Sequence, residues 1–246
     1  MNMDMSTDVK WMIYGANGYS GRLIAIEAVR RGMKPILAGR NPEVAVLAAE
    51  LGLESRVFSL DDDPARHLSG IHTVLHCAGP FSATSRAMLD ACIQAKTHYL
   101  DITGEIDVFE AVHARSAELK SAGIAALPGA GFDVVPTDCL AASLKRKIQQ
   151  ATHLTLAFRS TGSFSPGTAK TATEALAKGG RIRKDGKLLI VPVGARTRQI
   201  EFKPGKPRQG TLMPWGDVST AYYSTGIPNI EFYIAGSDRA LAPMRL

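Results

Sequence analysis

The chain has 246 residues, 45% hydrophobic and 21% charged, a globular balance with enough apolar mass for one large domain or two small ones. No run of about eighteen apolar residues exists, which excludes a hydrophobic helix of membrane-spanning length. Net charge is +6 but unevenly placed: the first 123 residues hold 12 Lys and Arg against 15 Asp and Glu, the last 123 hold 17 against 8. That asymmetry points to two functional halves, the second facing something anionic. The alternative is that Lys145-Arg146-Lys147 and the basic runs 181–187 and 203–208 are solvated turns and helix ends.

Residues 1–8 carry neither the basic nor the apolar region of a signal peptide and read as a frayed tail. The three cysteines, Cys77, Cys92 and Cys139, are odd in number and far apart. They support neither a zinc site nor a disulfide scaffold. Cys77 and Cys92 sit in apolar stretches and read as buried thiols. The expected compartment is the cytoplasm.

Residues 10–14 form a short β-type run. They lead into Gly15-Ala16-Asn17-Gly18-Tyr19-Ser20-Gly21 and then an amphipathic helix over 22–31. Strand, glycine turn and helix follow in the order of a dinucleotide-binding unit. Gly15 permits the sharp turn, Gly18 lets backbone approach a pyrophosphate, and Gly21 lets the helix pack on the strand. The helix N-terminus supplies unpaired N–H groups and a positive dipole end. The spacing is G-x-x-G-x-x-G, and its weight comes from the flanking elements.

The next strand, 34–41, ends in Gly39-Arg40-Asn41. An NAD site places an acid there to accept from the ribose hydroxyl. Here there is none, and Arg40 can pair bidentately with a 2′-phosphate. NADP(H) is therefore the expected cofactor, the alternative being that Arg40 is an unrelated surface charge. The alternation continues: helix 43–51, strand 56–60, Asp61-Asp62-Asp63-Pro64 opening a short helix, strand 73–77. Helix 85–95, strand 98–102, helix 105–122 and strand 124–127 follow. Short apolar strands alternating with amphipathic helices predict an α/β fold, a Rossmann-type parallel sheet with helices on both faces. Ligand loops then lie at the carboxyl ends of the strands, which gathers 15–21, Arg40, Asp61, 77–81 and Gly104-Glu105 on one edge. Gly79-Pro80 is either a rigid turn passing beneath the nicotinamide half or an ordinary loop.

Beyond this unit, Gly129 to Asp138 form a shaped loop, with Thr137 or Asp138 capping a helix over 140–149. Asp133 either orients substrate and shuttles a proton or is a turn former. From 152 the texture changes to strands at 154–159, 188–193, 197–202 and 230–235, with a helix over 166–178. This predicts a smaller α+β domain with a mixed or antiparallel sheet. Trp215, Tyr222, Tyr223 and Ser224-Thr225-Gly226 either line a pocket or belong to its core. The expected domains are 1–128 and 129–246.

Several chemistries are set aside. No tyrosine has a lysine four residues on, so the Tyr/Lys relay of short-chain dehydrogenases is missing. Residues 162–168 have P-loop-like glycine spacing without the lysine, the histidines form no ligand cluster, and there is no G-x-S-x-G. No metal is expected. No recognition-helix pattern or aromatic interleaving supports nucleic-acid binding.

The ordered set of motifs resembles the saccharopine dehydrogenase-like family, including trans-acting enoyl reductases. The matching pieces are Gly15-Ala16-Asn17-Gly18-Tyr19-Ser20-Gly21-Arg22, Leu37-Ala38-Gly39-Arg40-Asn41, Cys77-Ala78-Gly79-Pro80-Phe81 and Tyr99-Leu100-Asp101-Ile102-Thr103-Gly104-Glu105. Gly131-Phe132-Asp133-Val134-Val135-Pro136-Thr137-Asp138, Gly167-Thr168 and Ser224-Thr225-Gly226-Ile227-Pro228-Asn229 continue it. The resemblance implies an NADP(H)-dependent oxidoreductase whose mixed-sheet second domain often forms a homodimer. It also implies about a hundred further residues returning to the first domain, so the chain is expected to be short at its C-terminus.

The reading is hydride transfer between NADP(H) and a carbonyl, imine or activated alkene. Gly15, Asn17, Gly18, Tyr19, Ser20, Gly21, Arg40, Asn41, Asp61, Ala78, Gly79 and Pro80 are the candidate cofactor residues. Asp133, Tyr99 and Glu105 are the candidates for catalysis on an anionic or thioester-linked small molecule. The alternative is a non-catalytic NADP(H) sensor.

Overall fold

A computed structural model describes residues 9–159 and 179–235. The helix expected over 166–178, the glycines of 162–168 and the Gly167-Thr168 match lie outside the described residues. Contacts divide the chain into two units. Residues up to Thr103 with Ala111–Gly131 make the first, and Gly104–Glu110 with the residues from Phe132 onward make the second.

The first unit alternates strands with helices. It runs β1 (Trp11–Tyr14), α1 (Tyr19–Arg30), β2 (Ile36–Gly39), α2 (Glu43–Leu51), β3 (Ser55–Val57), a 3-10 turn (Pro64–Leu68), β4 (Thr73–His76) and α3 (Phe81–Ala95). It continues through β5 (His98–Asp101), α4 (Ile106–Ala114, whose residues up to Glu110 are counted with the second unit), α5 (Ser116–Ala122) and β6 (Ala126–Leu127). Its six strands lie in the order β3-β2-β1-β4-β5-β6, all parallel, with Met12 opposite both Ile36 and Val74. Short apolar runs such as Ile36-Leu37-Ala38 are buried on both faces, as parallel strands must be. On one face Ile13 and Leu37 pack with Ala25 of α1 and Val44, Leu47 and Ala48 of α2.

Three helix boundaries differ from expectation. The segment 105–122 is two helices, because Arg115 leaves helical geometry (φ −94, ψ 12) while its guanidinium is held by Glu118 and by Asp90 of α3. α3 begins at Phe81 rather than 85, directly after Pro80. The expected helix at 140 begins at Val135, with Pro136 in its first turn, where a missing N–H costs nothing. Thr137 therefore lies inside that helix and donates back to the Val134 carbonyl at 3.1 Å instead of capping it.

The second unit holds α6 (Val135–Lys147), β7 (His153–Arg159), β8 (Gly180–Lys184), β9 (Lys187–Val191), β10 (Thr197–Glu201), β11 (Pro207–Leu212), α7 (Asp217–Thr225) and β12 (Asn229–Ala235). The strands run β10-β11-β12-β8-β9, with β7 paired to β12. The β7–β12 pair is parallel and the others antiparallel, so the sheet is mixed. Alternation on β12 sends Ile230, Phe232 and Ile234 into a core with Leu156, Ala141 of α6, and Val218 and Ala221 of α7. Trp215 stacks on Phe232 at 5.5 Å and meets Phe158 edge-on at 4.9 Å, which makes it core. Among the described residues no helix is long and apolar enough to cross a membrane.

One ion pair between a buried guanidinium and a half-buried carboxylate fastens this unit. Arg183 of β8 is 4% exposed. Its Nε donates to the Val218 carbonyl (3.0 Å), one terminal nitrogen to the Gly186 carbonyl (2.9 Å), and the other to Glu110 Oε1 (2.5 Å). The guanidinium lies 4.3 Å from the Tyr222 ring centroid, a cation–π contact. Glu110 also accepts from Ser219 and Tyr223. Breaking such a pair from one side strands the other charge. Arg183→Met is expected to cost about 3 kcal/mol in urea unfolding, with most of the loss recovered when Glu110→Gln is added. Equal stability of Arg183→Met and wild type would remove the pair from this role.

Candidate functional site

The glycine loop and the turn after β4 meet. Gly15 has φ +82, and a Cβ there would lie 2.8 Å from the Ala78 nitrogen and 2.9 Å from its Cβ. A Cβ at Gly21 would lie 2.2 Å from the Gly15 carbonyl oxygen, and one at Gly18 3.2 Å from the same atom. Side chains are thus excluded where α1 packs on the end of β1. Gly18 starts α1 with no side-chain cap, and the first turn has no acid. The opening N–H groups at Tyr19, Ser20 and Gly21 are beyond reach of any helix carbonyl, and the dipole end beside them favours an anion. That donor set, with no side chain in the cradle, fits a diphosphate.

β2 brings its end to the same loop: Asn17 Oδ1 lies 3.2 Å from where a Gly39 Cβ would stand. Arg40 follows, exposed. The Tyr14 hydroxyl donates to the Phe58 carbonyl (3.2 Å). Burial pushes its pKa up, Arg40 opposes and Asp61 reinforces, so both charges face that corner. Asn41 closes the entry to α2, its amide paired with Glu43 through both Oδ1 and Nδ2. Asp61 accepts from the Ser59 hydroxyl at 3.1 Å. Gly79 is exposed, and the Ala78 and Pro80 carbonyl oxygens both lie within reach of the Thr84 hydroxyl, at 2.7 and 3.1 Å.

The catalytic candidates divide. Tyr99 is fully buried, and its hydroxyl donates to Asp101 Oδ2 at 2.6 Å. It is a buried residue whose hydroxyl is engaged with Asp101. Asp101 accepts in addition from the Thr103 and Gly129 amides, tying the end of β5 to the loop after β6. In the second unit Asp133 and Gly104-Glu105 do come together. A Gly104 Cβ would lie 2.8 Å from Asp133 Oδ2, and the Glu105 carbonyl accepts from Val108 and Phe109 at the start of α4. The Asp133 carbonyl accepts from Trp215 Nε1 (2.8 Å), and burial raises its pKa.

Beside it stands a residue the sequence does not mark. Asp217 opens α7 with no exposed surface, and both its carboxylate oxygens lack a hydrogen-bond partner. Burial above all pushes its pKa up to about 7; Asp138 and Asp133 add to this, and Thr137 opposes. The Thr137 proton is already given to Val134, so its relief is small.

Residues 11–127 match the family described as Saccharopine dehydrogenase NADP binding domain. A saccharopine dehydrogenase-like oxidoreductase of Rattus norvegicus is 27% identical over 154 residues, 52% of this chain and 35% of that protein. A trans-acting enoyl reductase of Mycobacterium tuberculosis is 28% identical over 154 residues, 55% of this chain and 35% of that protein. The match thus spans about a third of the curated relatives' length. The solved saccharopine dehydrogenase (L-Glu forming) of Saccharomyces cerevisiae shares the fold, with TM-score 0.65 and 14% identity, covering 92% of this chain and 54% of that one. A saccharopine dehydrogenase NADP-binding domain takes a nicotinamide dinucleotide, and the glycine cradle of β1 and α1 has the donors for one.

Asp217 has a consequence for stability. The folded chain holds its proton up to about pH 7, whereas the unfolded chain releases it near pH 4. Between those limits the folded state binds more protons, so raising pH through this window lowers stability. Urea unfolding from pH 4 to 8 is expected to show that fall, and Asp217→Asn to flatten it. An unchanged slope in Asp217→Asn would place the titration elsewhere.

Proposed function

We propose that this chain binds NADP(H) on the 15–21 loop and catalyses hydride transfer to or from a carbonyl, imine or activated alkene. The observation that carries the cofactor choice is Arg40, standing after Gly39 at the end of β2 where an NAD site needs an acid. Gly15, Gly18 and Gly21 clear the path to the α1 N-terminus, and Tyr19 and Ser20 offer their amides. Asn17, Asn41 and Asp61 flank the ribose side, and Ala78, Gly79 and Pro80 the nicotinamide side. The nicotinamide supplies or accepts the hydride; the protein orients it and excludes water.

Substrate handling falls to Asp133 and Glu105. Asp133, raised by burial, holds a proton further toward neutrality than an ordinary carboxylate does. The positive second half suits an anionic or thioester-linked small molecule, a class that includes what an enoyl reductase acts on. Exposed Leu189 and Ile190 on β9 support a homodimer formed through the second unit. The free cysteines favour a reducing compartment, the cytoplasm among them.

Fluorescence titration tests the cofactor assignment. NADPH is expected to bind at least tenfold more tightly than NADH, and Arg40→Ala to erase the difference, since a charge-assisted pair is worth about 1.5–3 kcal/mol. Equal affinity for the two cofactors, or an Arg40→Ala chain that keeps the preference, would overturn it.

A further inference from the structure

Behind the 78–80 turn lies a buried polar pair that the proposed function does not use. His76 closes β4 with no exposed surface. Tyr14, Phe81 and Tyr99 surround it, ring centroids 5.6, 5.4 and 6.3 Å away. Its Nε2 lies 3.0 Å from Thr84 Oγ1, and its Nδ1 has no hydrogen-bond partner.

The protons here can be assigned by counting. A threonine hydroxyl has one hydrogen to give. Two carbonyl oxygens lie within reach of it, Ala78 at 2.7 Å and Pro80 at 3.1 Å. Giving that hydrogen to the ring would leave both carbonyls without it and put the ring's own hydrogen on Nδ1, a buried N–H with no partner, so the Thr84 hydrogen goes to the nearer carbonyl, Ala78. Thr84 Oγ1 then has only lone pairs to offer the ring, and His76 Nε2 must carry the hydrogen. Nδ1 is left as a bare acceptor, the less costly orphan, since unpaired buried N–H groups are the rarer kind. Burial holds the imidazole neutral, its pKa pushed down to about 3, so this arrangement persists across the neutral range.

The chain of bonds ends at the cofactor loop. The Ala78 that accepts from Thr84 is the residue whose nitrogen, Cα and Cβ fill the space over Gly15. A bond from the end of β4 to the first turn of α3 therefore sets how closely the 78–80 turn approaches the glycine loop. The strand order says which end of a ligand this concerns. β2, with Arg40 after it, flanks β1 on one side and β4 on the other, so the turn lies away from the 2′-phosphate end.

We propose that His76 and Thr84 are positioning residues of the dinucleotide site: the Nε2 hydrogen of His76 commits the Thr84 hydroxyl to the Ala78 carbonyl, which holds the Gly79 turn for the nicotinamide half. The proposal rests on the dinucleotide reading of the glycine loop, and its test separates the two. Thr84→Val removes the hydroxyl at nearly constant volume, and Thr84→Ser restores it. Each is titrated with NADPH and with adenosine 2′,5′-bisphosphate, which has the 2′-phosphate and no nicotinamide. The expected result is a roughly tenfold loss of NADPH affinity in Thr84→Val, no change for the bisphosphate, and recovery in Thr84→Ser. No loss for NADPH, or an equal loss for both ligands, overturns the positioning role alone. Failure of the wild-type chain to bind either ligand overturns the dinucleotide reading, and this proposal with it. Long-range 1H–15N spectra of the labelled wild-type chain test the proton assignment without any variant. A neutral His76 ring with its hydrogen on Nε2 supports it, and one with its hydrogen on Nδ1 overturns it.

Discussion

Gly15 and Ala78 contend for the same few ångströms. A single added carbon at Gly15 would stand 2.8 Å from the Ala78 nitrogen, and one at Gly21 would stand 2.2 Å from the Gly15 oxygen. Three elements therefore converge on one point: the end of β1, the first turn of α1 and the turn after β4. The approach is allowed only because two of the three residues lack a side chain. The same lack of side chains leaves the helix N–H groups uncovered. Packing and anion binding have one steric cause here, so the cradle belongs to the sheet's architecture.

That cause explains why the first unit was legible in the sequence. Its strands are buried on both faces and read as continuous apolar runs, and its helices show one apolar stripe each. The glycines and Arg40 mark the proposed cofactor loops through position alone, because each strand end lies within a few residues of its loop. What escaped depends on partners distant in sequence. Arg183 and Glu110 are 73 residues apart, and a basic run such as 181–187 reads as solvated until that partner is seen. β8, β11 and α7 were missed for the same reason. α7 is built from Ser, Thr and Tyr, modest helix formers, and it is held by Val218 and Ala221 in the core. Tyr99 shows a signal that was present and unread: it shares a strand face with Asp101 two residues on, where their side chains can meet. The break of α4 from α5 at Arg115 had no such cue, since the apolar period runs through it.

Among the described residues the buried ionisable groups follow one rule, and Asp217 is the exception. Arg183 is buried with a counter-charge and carbonyl acceptors for its donors. Asp101 is buried with Tyr99 and two amides, and His76 is buried neutral with a hydroxyl to serve. Each satisfies the demand that a buried polar group be paired or discharged. Asp217 meets it only by keeping its proton, because nothing donates to either oxygen and two further carboxylates stand near.

The exception divides the titration of the molecule. In the first unit burial drives His76 down to about 3 and the Cys77 and Cys92 thiols up to about 12, so these groups keep one protonation state across the neutral range. In the second unit Asp217 titrates near 7, and Asp133 and Asp138 are raised beside it. A change near neutral pH therefore acts on the second unit and leaves these buried groups of the glycine-loop unit as they are. If NADP(H) binds at 15–21 and Arg40 as proposed, its affinity should be nearly flat in that window, because the donors are amides and a guanidinium, apart from the 2′-phosphate's own titration near pH 6. A fall in stability near pH 7 that Asp217→Asn removes then belongs to the carboxylates around Asp217. That assignment follows from the burial of Asp217 without a partner for either oxygen.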